Sequence, residues 1–478
     1  MTEGPHHLTG QLSHLAKSDL PRAVEILQDV DRLALVSLER EAVGIWQLYQ
    51  HIQERLKLGG SIYLVGCGAT GRLALVLERL SRELNRFRGR IHAFMAGGDY
   101  ALVRSVESFE DRTHYGERQL LELGFKEGDL LIAITEGGET PFVIGACEAA
   151  RAHSSVAPWF VYCNPDPLLL PIARSRAVLQ NPRVRKLNLT CGPMALTGST
   201  RMQASTVQMT AVGLALLFDW KSEDAFRHAL TSWREWQGAQ DLSWLIPFIE
   251  TEADALRQGE LVTYSSDPLL AISILTDTTE RAPTFSRPGF ENLLDPSMPL
   301  SGIYLSVPSA SDSASAWRSL LARSPHCLNW AGLPTKIDEQ QLYGFDISAQ
   351  ALVRRKGLEI SFTSLPGRVR WSAPGVEASM PVWGLHPFWA HVNLKMALNI
   401  HSTLMMGRLD FYLDNVMTWV RPSNNKLIDR ATRYVQLLAA RRGVSVGFEE
   451  GVRLVVAKME DPALKGPVVL AVLKELGL

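Results

Sequence analysis

Three short stretches of this chain place glycines and hydroxyls where an apolar run gives way to a helical pattern. In "IYLVGCGATGRLALVLERL" (62–80), Gly66, Gly68 and Gly71 have G-x-G-x-x-G spacing, and Thr70 adds a hydroxyl. In "ITEGGETPF", Gly137, Gly138 and Thr140 precede Pro141, a residue suited to the first helical position. In "LTGSTRM", Ser199, Thr200 and Arg201 precede a long apolar helical pattern. Backbone N–H groups at a helix start point outward, and the helix N-terminus favours anions. Three such starts and one guanidinium make a phosphate cradle if the fold gathers them. A blander reading stays open for each. A glycine turn also lets strand and helix pack, and any Ser or Thr here also suits an N-cap.

The glycine spacing is equally that of a dinucleotide loop, which alone is a weak signal. A dinucleotide site needs an acid about 20 residues on, at the end of the next strand, to hold the ribose. That strand ends here at Met95 and Ala96, and Asp99 lies beyond two glycines. This argues against nicotinamide or flavin, and no cofactor is expected. His386, His391 and His401 lack H-E-x-x-H spacing, so no metal site is expected either.

The elements that must position these loops follow from hydrophobic periodicity. Apolar residues recur at three and four over residues 11–58, predicting helices. Then "SIYLVG", "IHAFMAGG", "DLLIAIT", "PWFVYCN" and "VRKLNLT" read as strands alternating with helices, ending in the long helix "STRMQASTVQMTAVGLALLFDW". Buried strands alternating with helices signal a parallel sheet covered on both faces. In such a sheet the three loops gather at the carboxyl edge. A weaker round follows. "LVTYSS", "SGIYLSV", "HCLNWAG" and "LEISFTSL" read as strands, and "PFWAHVNLKMALNIHSTLMMG" as a second closing helix. The expectation is an α/β chain with two doubly wound, flavodoxin-like parallel-sheet domains. Residues 1–58 are a helical segment, 59–250 the first domain, 251–415 a degenerate second domain and 416–478 a C-terminal helical segment.

Composition sets the class. Lys+Arg is 49 and Asp+Glu is 50 over 478 residues, so nothing calls for nucleic acid or an anionic membrane. No apolar stretch approaches the ~20 residues that cross a bilayer. Five scattered cysteines and an N-terminus without a signal-peptide pattern lead to the expectation of a cytoplasmic protein.

Taken in order, "GCGATGRLAL", "AGGDYALVRSVESFED", "TPFVIGA", "CNP", "LTGSTRMQASTVQ" and "RPSNNKLIDRA" resemble the sugar isomerase (SIS) domain proteins of the N-acetylmuramic acid 6-phosphate etherase group. The glucokinase regulatory protein, with two such domains in tandem, is similar too. The likeness is strong over residues 59–220 and around 415–435, and weak over 255–380. The etherases are homodimers with the site between subunits, so the resemblance implies an internal pseudo-dimer. It places one catalytic carboxylate at Glu110, with Glu107 nearby, and a ligand-contacting amine at Lys426. The second carboxylate of the group would fall at Leu80 in the first domain. "TTERAPTF" in the second domain supplies it instead, at Glu280.

The implied chemistry is ether elimination. A base (Glu110) removes the C2 proton, acidified by the C1 aldehyde. An acid (Glu280) protonates the lactate ether oxygen as the C3–O bond breaks and D-lactate leaves, and water then adds to the double bond formed. One departure opposes this. The etherases have Ser and Arg where this chain has Gly137 and Glu139, and Glu136 adds a further acid. Carboxylates beside a phosphate weaken its binding unless a cation offsets them. Two alternatives therefore stand beside the lyase. One is a sugar-phosphate sensor that controls a protein partner without turnover. The other is a phosphosugar isomerase.

Overall fold

The computed structural model describes residues 2–87, 89–106, 108–333, 335–420, 425–461, 464 and 466–478. Its first sheet contains β1 (Ile62–Gly66), β2 (Ile91–Met95), β3 (Leu130–Ile134), β4 (Trp159–Tyr162) and β5 (Arg185–Asn188). All neighbours are parallel, in the order β2-β1-β3-β4-β5. β1, β3 and β4 are buried at every position, as a strand covered on both faces must be. The chain leaves β1 in one direction for β2 and returns on its other side as β3. The topological switch therefore lies between β1 and β3, where the crevice at the carboxyl edge opens.

The Gln203–Leu217 helix is buried at all its residues, so it lies at the centre of the molecule, with its polar side chains such as Thr206 and Gln208 hydrogen-bonded within the protein. The N-terminal helices Leu20–Arg40 and Ala42–Lys57 pack against it.

The second half is where structure and sequence expectation part. β6 (Leu261–Ser266), β7 (Ile303–Ser306) and β8 (Gly357–Leu365) are parallel, in the order β7-β6-β8. β9 (Arg368–Ala373) and β10 (Val376–Pro381) then extend the sheet antiparallel. The second sheet is therefore mixed, not doubly wound throughout. The reason is local. Residues along β9 alternate between exposed and buried, a one-sided pattern, and Gly367 and Gly375 take positive φ in the two hairpin turns.

The expected strand "HCLNWAG" is also absent. That segment is an arm laid on the first half. The Asp99 amide donates to the His326 carbonyl at 3.1 Å, and Trp330 Nε1 donates to Glu122 Oε2 at 2.7 Å. The Trp330 ring stacks on Phe109 with centroids 5.6 Å apart. Its apolar residues are needed for a partner surface rather than for a sheet.

The two halves meet through helices. Pro268–Phe285 and Pro387–Arg408 of the second half pack against Ala69–Glu83 and Gln203–Leu217 of the first. Helices Asn425–Ala440, Phe448–Met459 and Val468–Glu475 close the chain. Among the described residues no helix is long and apolar enough to cross a membrane.

Candidate functional site

A cleft of about 270 Å³ opens at the carboxyl edge of the first sheet, over the switch between β1 and β3. Its walls come from both halves and from both ends of the chain.

Beyond β1 the wall is Cys67, Gly68 and Ala69. The three glycines of this loop have different duties. A Cβ at Gly66 would lie 2.4 Å from the Thr70 backbone, and one at Gly71 would lie 2.4 Å from Met95 Cβ, so both are packing positions. Gly68 alone faces the cleft, with φ +53, and Ala69 opens the helix. Thr70 is buried behind the wall. Its hydroxyl donates to the Cys67 carbonyl and accepts from the Cys67 amide, both at 2.9 Å, which fixes the turn.

Beyond β3 come Glu136, Gly137, Glu139 and Thr140. Thr135 and Thr140 hydroxyls are 3.0 Å apart, and Asn164 Nδ2 at the end of β4 donates to the Gly137 carbonyl at 3.1 Å. Glu139 is turned outward onto Arg174, 3.1 Å away. Glu136 is enclosed. Burial pushes its carboxyl up to about 8, and the nearby Glu280 and Glu110 carboxylates push the same way. Its own amide pulls it partly back, and its Oε1 is sealed from solvent without a hydrogen-bond partner.

Residues 198–201 form the third wall. This loop is held from outside its own sheet. The Thr197 amide donates to the Asn415 carbonyl at 2.8 Å, and the Tyr434 hydroxyl donates to the Thr197 carbonyl at 3.0 Å. Lys395, from the Pro387–Arg408 helix, donates to the carbonyls of Arg201 (2.9 Å) and Met202 (3.2 Å), to Thr206 Oγ1 (2.7 Å) and to Asn399 Oδ1 (3.0 Å). Burial pulls this ammonium down to about 7. Ser199 is buried, and its Oγ has no partner.

Arg201 borders the cleft, but its guanidinium is already engaged. Nη1 lies 2.9 Å from Asp277 Oδ1, and the Nη atoms reach Ser402 and Thr403 hydroxyls at 3.4 Å. Burial pushes the Asp277 carboxyl up, but Arg281 and Arg201 outweigh it and hold it below the usual range. Arg201 thus ties the 198–201 loop to the second half.

The second half contributes Glu280, Pro283 and Thr284. Arg72, one helical turn past the glycine loop, forms an ion pair with Glu280 and donates to the carbonyls of Leu102 (3.0 Å) and Ala101 (3.2 Å). Glu110 lines the cleft too, and its carbonyl accepts from the Phe142 amide at 3.0 Å. Thr2, Glu3, Met417 and Arg430 complete the rim, with Arg430 2.9 Å from Glu3. Glu107 lies outside the described residues, as does the side chain of Lys426.

The structure therefore brings Gly68, Glu110, Gly137, Thr140, Ser199, Thr200, Arg201 and Glu280 to one cleft, and sets Thr70 and Gly71 behind it. Sequence reasoning does not single out Arg72, Asp277 and Lys395. Their only signal was a charge inside an apolar helical pattern, in "GRLALVL", "ILTDTTE" and "VNLKMALN".

Residues 45–151 match the family model of the glucokinase regulatory protein N-terminal SIS domain. The chain is also similar to N-acetylmuramic acid 6-phosphate etherases. With that of Salmonella schwarzengrund (strain CVM19633) it shares 32% identity over 195 residues, 41% of this chain and 62% of the relative. With that of Salmonella agona (strain SL483) it shares 36% over 160 residues, 33% of this chain and 50% of the relative. These matches span less than two thirds of the relatives' length. Among solved structures, the C-terminal domain of glucosamine-fructose-6-phosphate aminotransferase from Francisella tularensis aligns with a TM-score of 0.42 and 10% identity, covering 81% of this chain and 95% of that one. Tagatose-6-phosphate ketose/aldose isomerase from Escherichia coli aligns with a TM-score of 0.38 and 12% identity, covering 64% and 70%. The chain thus resembles the two groups that its motifs indicated.

Proposed function

We propose that this chain is a cytoplasmic protein that binds a phosphorylated sugar in the cleft between its halves. The observation that carries the reading is that Glu110 from the first half and Glu280 from the second line one cleft together with Ser199 and Thr200. The halves act as an internal pseudo-dimer. The helix after the first strand of each sheet, Ala69–Glu83 and Pro268–Phe285, packs against its counterpart, and so do the closing helices Gln203–Leu217 and Pro387–Arg408.

The etherase-like reaction asks for two carboxylates on the sugar, and Glu110 as base with Glu280 as acid fits the cleft's composition. A sensor without turnover is favoured by a different observation. Glu280 is engaged by Arg72, and Glu136 and Glu139 stand in the loop after β3. Such a sensor would report ligand to a protein partner through a change in surface.

The test is to incubate the protein with N-acetylmuramic acid 6-phosphate and assay D-lactate, with Glu110→Gln as control. Lactate from the wild type alone supports the lyase. Thermal stabilisation by the sugar phosphate without lactate supports the sensor. Neither lactate nor stabilisation removes the sugar-phosphate reading.

A further inference from the structure

Glu110 reaches the cleft from a segment with little regular structure of its own. Among the described residues, neither helix nor strand is found between Leu102 and Thr113. The backbone turns sharply there. Ser108 has φ +62, in the left-handed region that a residue with a Cβ enters at a cost. Two hydrogen bonds of 3.3 Å close the turn locally, from the Phe109 amide to the Val106 carbonyl and from the Arg112 amide to the Phe109 carbonyl. A third, from the Phe142 amide to the Glu110 carbonyl, ties the segment to the helix after β3. A loop with so few backbone bonds depends on its buried side chains for a fixed position.

Phe109 is the buried side chain next to Glu110. It is 2% exposed, whereas Glu110 is exposed and lines the cleft, so the chain sinks one residue and presents the next. The Phe109 ring lies 4.5 Å from Tyr115 of its own half and 5.6 Å from Trp330 of the other half, centroid to centroid. The Phe109 and Trp330 planes are 23° apart, a stacked pair. Trp330 is itself held from several sides. Tyr115 meets it edge-on at 5.3 Å, the Arg118 guanidinium lies 4.1 Å over its face, and Nε1 donates to Glu122. The arm that carries it is fastened further back, where Arg323 pairs with Glu78 at 2.9 Å and with Asp99 at 2.5 Å, and the His326 amide donates to Asp99 Oδ2 at 2.6 Å. Trp330 does not line the cleft, so any effect it has on a ligand runs through Phe109.

We propose that Trp330 is a positioning residue, its ring holding Phe109 so that the loop presents the Glu110 carboxylate to the bound sugar phosphate. The inference rests on the sugar-phosphate reading above. It gives the two halves reciprocal duties. Arg72 of the first half holds Glu280 of the second, and Trp330 of the second half sets Glu110 of the first from behind.

The experiment is a double-mutant cycle read by calorimetric titration, well below the unfolding temperature of each variant. The probe is N-acetylglucosamine 6-phosphate, which has no lactyl ether to lose, so binding is measured without elimination. N-acetylmuramic acid 6-phosphate replaces it if the wild type binds only that sugar. Trp330→Leu should weaken binding roughly tenfold, the loss of one hydrogen bond to a charged group. Trp330→Phe restores a ring to stack on Phe109, though it cannot donate to Glu122, and should recover most of the loss. Glu110→Gln should weaken binding by a similar factor. Adding Trp330→Leu to Glu110→Gln should then cost less than about twofold more, because the two act through one contact. If Trp330→Leu does not fold, Phe109→Leu takes its place, since it removes the other ring of the same stack. Wild-type affinity in Trp330→Leu overturns the inference, and so does an equal loss with and without Glu110→Gln; both leave the sugar-phosphate reading intact. No binding of either sugar by the wild type removes that reading, and this inference with it.

Discussion

Arg72 of the first half and Glu280 of the second form an ion pair across the interface, buried at both ends. The remaining nitrogens of Arg72 are spent on the carbonyls of Ala101 and Leu102. One side chain therefore couples the glycine-loop helix, the segment after β2 and the second half's carboxylate. Removing one partner of a buried pair leaves an uncompensated charge, which costs about 3–5 kcal/mol. Arg72→Met should lower stability by that order, read as a fall in the urea midpoint. Arg72→Met combined with Glu280→Leu should recover part of the loss, since the orphaned carboxylate is gone. A double variant no more stable than Arg72→Met would show that the carbonyl contacts, not the ion pair, carry the energy.

Arg201 and Asp277 are a second bond between the halves, at 2.9 Å, and the Asp277 carboxylate also takes Arg281 Nε at 3.0 Å. Arg201→Ala should therefore destabilise the fold by about 1–3 kcal/mol, because buried Asp277 loses one charged partner while it keeps Arg281. A side chain held only for a phosphate would give the opposite result. Its removal would leave the ligand-free protein as stable as before and appear in affinity alone. Denaturant unfolding without ligand separates the two roles.

How far the sequence reached follows from which interactions are local. β1, β3 and β4 were legible because a strand covered on both faces is apolar throughout, and that pattern needs no partner to be read. The division of labour among Gly66, Gly68 and Gly71 was not legible. The clash that makes Gly71 obligatory is with Met95, in the neighbouring strand. The Arg201–Asp277 bond was not legible, because the partner lies 76 residues further on, in the other half. "HCLNWAG" reads as a strand because Trp330 and its neighbours are apolar. Their apolar partners, Phe109 and Tyr115, belong to the first half. The antiparallel β9 and β10 fell where the resemblance is weakest. Glu280 became a candidate through resemblance, and the structure brings it to the wall facing Gly68.

Ser199 offers a test of the cleft with little structural risk. Its Oγ has no protein partner, so Ser199→Ala removes no internal hydrogen bond. Replacing an unpaired buried hydroxyl by a methyl group should leave stability equal or slightly higher. Sugar-phosphate affinity should fall by roughly five- to tenfold, the equivalent of about 1–1.5 kcal/mol for one hydrogen bond. Thermal unfolding with and without N-acetylmuramic acid 6-phosphate reads both effects. A stability loss without ligand would mean that the hydroxyl is bonded within the protein.

Glu136 also makes fold stability depend on pH, with a sign that follows from its raised pKa. The folded protein holds this proton up to about 8, whereas the unfolded chain releases it near the ordinary carboxyl value of 4.5. Between those values the folded state binds more protons, so stability falls as pH rises and then levels off above the folded pKa. Lys395 acts in the opposite sense. Lowered from 10.5 to about 7, it makes the unfolded state bind more protons, so its contribution rises with pH above about 7. Below pH 7 the Glu136 slope is therefore free of Lys395, though Asp31, raised to about 6, adds its own decline up to that pH. Glu136→Gln should remove the Glu136 part alone. The difference between wild type and variant, measured by urea unfolding from pH 5 to pH 8, should drift against the wild type. The drift should approach, at most, about 1.4 kcal/mol per pH unit. A difference constant across that range would mean that Glu136 is ionised in the folded protein, with a cation reaching it.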